Sequence, residues 1–250
     1  MHGRIAWITG ASSGIGAALA LRMARDGWTV AASARDAKAL DRVAAAAVGG
    51  RIVPVPLDVT DLAACRAAVG RVEEEIGPVV TAVLAAGTHI PVAAAAFDAA
   101  TVRKLVEVNL MGVVNAVDAV LPSLIERRAG RLAIVSSVAG YRGLPTAAGY
   151  GATKAGLINF AESLKFDLDR LGIVTQVVCP GFVRTPLTDR NPFPMPFLME
   201  VEDAAERLYR GLQGNAFEIA FPWRFALILK LLGLLPDALY FALMHRATGK

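Results

Sequence analysis

Seven short apolar runs, spread between longer segments of helical character, limit what this chain can fold into more than any other feature. They are Ile5 to Ile8, Thr29 to Ala32, Ile52 to Val55, Val79 to Leu84, Leu132 to Val135, Val174 to Val178 and Glu218 to Phe221. Short β-prone runs that are apolar throughout, rather than alternating, belong to strands covered on both faces. Strands separated by helices pair in parallel through right-handed crossovers. The expectation is therefore an α/β fold, a single doubly wound parallel sheet of about seven strands with helices on both faces. At 250 residues the chain is long enough for one such domain with a substantial core. No repeat, low-complexity tract or linker interrupts it. Residues 1–221 read as that domain, and 222–250 as an apolar helical extension.

Composition excludes several classes. Twenty-six Lys and Arg against 22 Asp and Glu give a net charge of +4 without a long cationic run, too little for nucleic-acid binding but suited to an anionic ligand. Cys65 and Cys179 stand far apart in apolar sequence. They make neither a disulfide framework nor a metal site, and read as reduced core residues of a cytoplasmic protein. The amino terminus reaches its first strand and a glycine turn at once, which leaves no room for a signal peptide.

The first run enters Thr9-Gly10-Ala11-Ser12-Ser13-Gly14-Ile15-Gly16, with a helix expected from about Ile15. Glycines between a strand and a helix allow a tight turn, bring amides close to a phosphate and let the helix pack near the sheet. A second pattern is Tyr150-Gly151-Ala152-Thr153-Lys154, with Ser137 thirteen residues before the tyrosine. On a helix, a spacing of four puts phenol and ammonium on one face. A free tyrosine titrates near ~10, so it needs nearby positive charge to trade protons at neutral pH. Lys154 is the expected source, joined by a nicotinamide cation if one is bound.

Taken together, these motifs resemble the short-chain dehydrogenase/reductase family over about residues 4 to 221. The Thr-Gly-x-x-x-Gly-x-Gly loop is matched at Thr9, Gly10, Gly14 and Gly16, and the catalytic pattern at Ser137, Tyr150 and Lys154. Asn109 in Val-Asn-Leu-Met-Gly and the stretch Cys179 to Thr185 fit two further family positions. The resemblance implies a Rossmann-like oxidoreductase that moves a hydride between NADP(H) and a carbonyl or alcohol carbon. Tyr150 would act as acid and base, Lys154 would hold the ribose, Ser137 would position the oxygen, and Asn109 would hold a relay water in a distorted stretch of helix. On the cofactor side it implies Gly10, Ser12, Ser13, Gly14, Ile15 and Gly16 at the phosphates, and Asp58 and Val59 at the adenine. Ala86 and Gly87 would lie beside the nucleotide, and Pro180, Gly181, Val183 and Thr185 near the nicotinamide and pyrophosphate.

Ala34 stands where NAD-dependent relatives carry an aspartate, and Arg35 follows it. This implies NADP(H), with Arg35 and either Ser33 or Ser13 on the 2′-phosphate; the alternative makes Asp36 the ribose ligand. The family's usual Asn-Asn-Ala-Gly is here Leu84-Ala85-Ala86-Gly87, which removes a side chain that ties neighbouring strands. Thr101 to Arg128 reads as one long helix, with Pro122 as a kink or break. Arg142, in the loop before Tyr150, is expected to face water.

Residues 186–200 carry four prolines and large apolar side chains, as a substrate-covering loop would. If Phe193, Met195, Phe197 and Met199 line the cleft, the substrate is lipophilic; they could instead pack on the protein's own surface. Two readings fit 222–250: an arm on the core or on a neighbouring subunit of a homodimer or homotetramer, or an amphipathic anchor at a membrane interface with Arg224, Lys230, Arg246 and Lys250 snorkelling. Neither helical piece has the ~18 apolar residues needed to span a bilayer. The rival to an enzyme is a catalytically silent nucleotide sensor or scaffold of the same fold.

Overall fold

In the computed structural model, which describes residues 4–188 and 195–249, seven parallel strands form one sheet in the order β3-β2-β1-β4-β5-β6-β7. The strands are β1 (Ile5–Thr9), β2 (Thr29–Ala34), β3 (Arg51–Pro56), β4 (Thr81–Leu84), β5 (Gly130–Val135), β6 (Ile173–Pro180) and β7 (Glu218–Phe221). Each apolar run of the sequence falls on one of them. Along β1 the side chains alternate, with Ile5 and Trp7 entering one core and Ala6 and Ile8 the other. Both faces are buried, which explains the missing polar alternation.

On one face lie α1 (Gly14–Arg25), α2 (Ala37–Ala45) and α7 (Val201–Gln213), which contribute Leu19, Met23, Leu40 and Leu208 to the core. On the other lie α3 (Leu62–Glu75), α5 (Gly112–Arg127) and α6 (Ala148–Arg170), which contribute Val69, Val120, Leu124 and Leu157. The starts of α2, α3 and α4 (Ala99–Val106) are fixed by Asp36, Asp61 and Asp98, whose carboxylates accept from backbone N–H groups at 2.9 to 3.0 Å. Each such cap contributes about 1 kcal/mol. The chain leaves β1 toward β2 on one side, while β4 flanks β1 on the other. This reversal leaves a crevice at the carboxyl ends of the strands, where open α/β sheets bind ligands.

The expected helix from Thr101 to Arg128 is not regular. Between α4 and α5, residues Glu107–Met111 form a π-helical segment that carries Asn109, as the family resemblance implied. Pro122 neither breaks nor ends α5.

The carboxy-terminal extension is a hairpin of α8 (Trp223–Gly233) and α9 (Asp237–Thr248). Its attachment corrects one expectation. Arg142 does not face water: its guanidinium donates to the carbonyls of Gly233 and Leu235 at 2.9 and 2.8 Å, pairs with Asp237 at 2.6 Å, and lies 3.9 Å over the Tyr240 ring. It thus satisfies the carbonyls that the end of α8 leaves without partners. Lys230 pairs with Glu218, which also accepts from Tyr141 at 2.7 Å. Tyr240, 2% exposed, donates to the Gly143 carbonyl at 2.7 Å. Three consecutive residues of the loop between Ser137 and Tyr150 are therefore bonded to the last two elements of the chain or to Glu218.

Candidate active site

A cleft of about 550 Å³ opens at the carboxyl ends of the strands, and every cofactor-side residue singled out by the sequence except Ser33 lines it, as do Ser137, Tyr150 and Lys154. Its floor is the turn from β1 to α1. Gly10 has φ +69°, and a Cβ there would stand 2.7 Å from the Ala85 carbonyl oxygen; one at Gly16 would stand 2.4 Å from that of Gly10. Neither position can carry a side chain, so the backbone itself forms the surface at the start of α1, whose free N–H groups and positive dipole end suit phosphate. Ser13 occupies the N-cap position of α1 without making a capping bond, which leaves its hydroxyl for a ligand.

At the ends of β2 and β3 the polar groups divide their work. Arg35 is exposed at the rim, whereas Asp36 caps α2 through Ala39 N–H at 2.9 Å. Ser33 is not available to a phosphate: it is 1% exposed and its hydroxyl accepts from the Trp7 indole at 2.9 Å. That corrects the expectation that Ser33 might assist Arg35, and leaves Ser13 in that place. One Asp58 oxygen accepts from the Thr60 N–H and hydroxyl at 3.0 and 2.8 Å. The Thr60 bonds, with Arg35 nearby, hold this carboxyl below its ordinary value, and it stays ionised.

At the opposite end, α6 presents Tyr150 and Lys154 on one face. The Lys154 Nζ, 4% exposed as a residue, donates to the Val135 carbonyl at 2.9 Å and lies 5.6 Å from the centre of the Tyr150 ring. The Ser136 hydroxyl donates to the Lys154 carbonyl at 2.7 Å, fixing the helix to the end of β5 and taking the structural role expected of it. Close approach here requires Gly140, where a Cβ would meet the Lys154 backbone at 2.7 Å. Ser137 faces the phenol, and its hydroxyl also accepts from Ala139 N–H at 3.1 Å.

Asn109 is fully buried behind the cleft. Its side-chain oxygen accepts from Thr88 N–H at 2.7 Å, and its amide nitrogen donates to the Thr88 carbonyl at 2.9 Å and to the Thr153 hydroxyl at 3.3 Å. The side chain therefore clamps the loop after β4 to α6. One lone pair of the oxygen remains for a relay water. That oxygen and the Lys154 Nζ both lie within 3.7 Å of the point where a Gly87 Cβ would stand.

This arrangement coincides with a known pattern. The short chain dehydrogenase family model matches residues 4–192. The chain belongs to the short-chain dehydrogenase/reductase family. An uncharacterized oxidoreductase of Myxococcus xanthus is 40% identical over 98% of both chains. The 3-oxoacyl-[acyl-carrier-protein] reductase FabG of Thermotoga maritima is 33% identical over 88% of each chain. Among solved structures, a short-chain dehydrogenase from Sphingobium yanoikuyae in complex with NADPH superimposes with a TM-score of 0.79 at 27% identity, covering 94% of this chain and 97% of that one. The protein is an oxidoreductase of this family, and its glycine floor, uncapped Ser13 and α1 amino terminus fit the family's dinucleotide.

Where the family's Asn-Asn-Ala-Gly is replaced, a tie between β1 and the end of β4 is still present. The Thr9 hydroxyl, 1% exposed as a residue, accepts from Ala86 N–H at 3.2 Å. Sequence reasoning also passed over His89, whose imidazole meets the Tyr150 ring edge-on with centroids 4.8 Å apart. The only signal for it was its position two residues after Gly87 at a strand's carboxyl end.

Burial holds Tyr150 above its ordinary value, and the Ser137 hydroxyl draws it back. The ammonium is itself desolvated, which pushes it from 10.5 down to about 8, and it donates to the Val135 carbonyl. An additional positive charge beside the phenol is required for a neutral-pH tyrosinate. Between pH 8 and 10.5 the unfolded chain still holds a proton that folded Lys154 has released, so this residue contributes stability that rises with pH. Measured by urea unfolding, the stability of the wild type relative to Lys154→Met should increase by on the order of 3 kcal/mol between pH 7 and 10.5. A difference that stays flat across that window contradicts the assignment.

Proposed function

We propose that the protein is an NADP(H)-dependent dehydrogenase/reductase acting on a lipophilic carbonyl compound or the corresponding alcohol. One observation carries the reading: a phenol, a serine hydroxyl and a buried ammonium converge at one end of a cleft whose other end is a side-chain-free turn at a helix amino terminus. Bound NADPH supplies the hydride. Ser137 and Tyr150 hydrogen-bond the carbonyl oxygen, and Tyr150 releases its proton to that oxygen as negative charge develops there. Lys154 holds the nicotinamide ribose and, with a water on Asn109, returns a proton to Tyr150. In the oxidative direction Tyr150 would accept the alcohol proton, and an oxidised nicotinamide, when bound, would supply positive charge that favours the phenolate.

The cofactor choice rests on three features: Ala34 in place of an acidic residue, the exposed Arg35 guanidinium, and the engagement of Asp36 in capping α2. The substrate class is supported by apolar side chains that line the cleft, Val108, Pro186 and the exposed Leu187 among them. Phe182 and Phe197 instead stack on Phe225 of α8 with centroids 5.7 Å apart, packing on the protein's own surface. Met199 packs inward on the core, while Phe193 lies outside the described residues. The named 3-oxoacyl reductases among the relatives are consistent with an acyl-chain carbonyl.

The exposed apolar face of α8 and α9 enters the same proposal. Among the described residues, Trp223, Leu227, Ile228, Leu231, Leu234, Leu239, Phe241 and Leu243 make up half of the exposed large apolar side chains. A patch of this kind marks an interface. We assign it to a neighbouring subunit rather than to lipid, because the Lys230 charge is paired with Glu218 and the exposed Asp237 at the start of α9 would oppose anionic headgroups. Lys250, the last of the four cations expected to snorkel, lies outside the described residues.

Tyr150→Phe is expected to lower turnover of an aliphatic ketone by about 10³-fold or more while leaving the NADPH fluorescence titration unchanged. A variant that keeps most of its activity overturns the assignment; wild type that binds NADPH and turns over no carbonyl favours the silent sensor. Arg35→Ala should weaken NADPH at least tenfold and NADH less than twofold, since a charged hydrogen bond to phosphate is worth roughly 1.5–3 kcal/mol. Equal weakening of both sinks the NADP(H) choice. Light scattering at micromolar concentration should return at least twice the chain mass of 26.3 kDa. A monomer that sediments with anionic vesicles would contradict the subunit assignment.

A further inference from the structure

The loop that follows β4 is held on both sides of His89. Upstream, the side chain of Asn109 grips both the N–H and the carbonyl of Thr88, at 2.7 and 2.9 Å. Downstream, the Val92 N–H donates to the Thr146 carbonyl at 2.9 Å, pairing the loop with the residues just ahead of α6. Three residues separate Thr88 from Val92, so the position of His89 is set by two clamps, one of them a fully buried asparagine.

Between the clamps the imidazole is half-buried and meets the Tyr150 ring at 4.8 Å and an interplanar angle of 81°. Neither ring nitrogen has a hydrogen-bond or charged partner among the described residues; burial is the sole influence on its titration and keeps it neutral at pH 7. A neutral imidazole carries one donor and one acceptor; the His89 nitrogens are not among the buried unpartnered polar atoms, so both stay open to water or to a ligand. Packing alone does not require nitrogen atoms there, since phenylalanine would give the same edge-on contact. The nitrogens are explained if a ligand uses them.

We propose that His89 is a specificity residue which hydrogen-bonds a second oxygen of the substrate, close to the carbonyl that Tyr150 protonates. The substrate is then a dioxygenated compound, such as a 3-oxo ester, 3-oxo thioester or hydroxyketone, rather than a simple ketone. This rests on the reading of Tyr150 given above. The ring contact positions the phenol, and the nitrogens select the substrate; the two roles are separable.

The test compares His89→Phe, which keeps the ring and removes the nitrogens, with His89→Gln, which keeps a donor and an acceptor. Steady-state kinetics use ethyl 3-oxohexanoate and 2-hexanone with NADPH. For His89→Phe, KM for the oxo ester should rise about tenfold, the loss of one ligand hydrogen bond, while kcat/KM for the ketone stays within twofold. His89→Gln should recover most of the oxo ester's KM. A readout independent of turnover is the imidazole ¹⁵N spectrum of the protein without cofactor, where three histidines give few signals. The His89 resonances, assigned by their loss in His89→Phe, should move on addition of ethyl 3-hydroxyhexanoate and not of 2-hexanol. Equal losses on both substrates would reduce His89 to a packing residue, and unchanged kinetics with unmoved resonances would remove it from the site; either overturns the proposal. Failure of the Tyr150 reading would show separately, as activity retained in Tyr150→Phe.

Discussion

Burying the Lys154 ammonium against a backbone carbonyl, with no carboxylate paired to it among the described residues, costs several kcal/mol. Much of the surrounding structure holds that charge in place. β5 delivers the Val135 carbonyl, and Ser136 bonds the Lys154 carbonyl, so strand end and helix are joined at two points. Gly140 lets the intervening loop press against the Lys154 backbone. On the far side of that loop, Arg142 and Tyr141 connect it to α8, α9 and β7. The carboxy-terminal hairpin thus acts as a brace for the segment that carries Ser137 and leads into Tyr150.

Asn109 performs the matching task from the other side of the cleft. A π-helical segment widens the turn between α4 and α5 and aims its side chain inward, where every bond it makes fixes an active-site wall. Such irregular turns recur at functional sites because they re-aim a side chain that a regular helix would point elsewhere. Here the result is a loop whose path past Tyr150 is set before any ligand arrives, which lowers the cost of ordering a substrate.

The sheet was legible because burial on both faces leaves continuous apolar runs, and all seven coincide with strands. The cleft was legible because Gly10 and Gly16 stand where no side chain fits, a constraint visible as residue type alone. What the chain order could not reveal are partnerships between distant residues. Ser33 looks like a phosphate ligand until Trp7 is found on its hydroxyl, 26 positions away. Arg142 reads as a solvated loop charge until the end of α8, 91 residues on, offers carbonyls to it. The direction of the Tyr150 shift escapes the sequence for the same reason: spacing places Lys154 on the correct face, but its ammonium bonds the Val135 carbonyl, a residue 19 positions earlier in the chain.

The central claim is that a phenol raised by burial becomes a neutral-pH base only when a cation joins Lys154 beside it. Ultraviolet difference titration of the phenol, taken as wild type minus Tyr150→Phe to remove the other three tyrosines, measures this directly. Without cofactor the Tyr150 phenolate should not form below about pH 10; with saturating NADP⁺ its midpoint should fall by about two units or more. A midpoint already near neutrality without cofactor, or one that NADP⁺ does not move, would contradict the account.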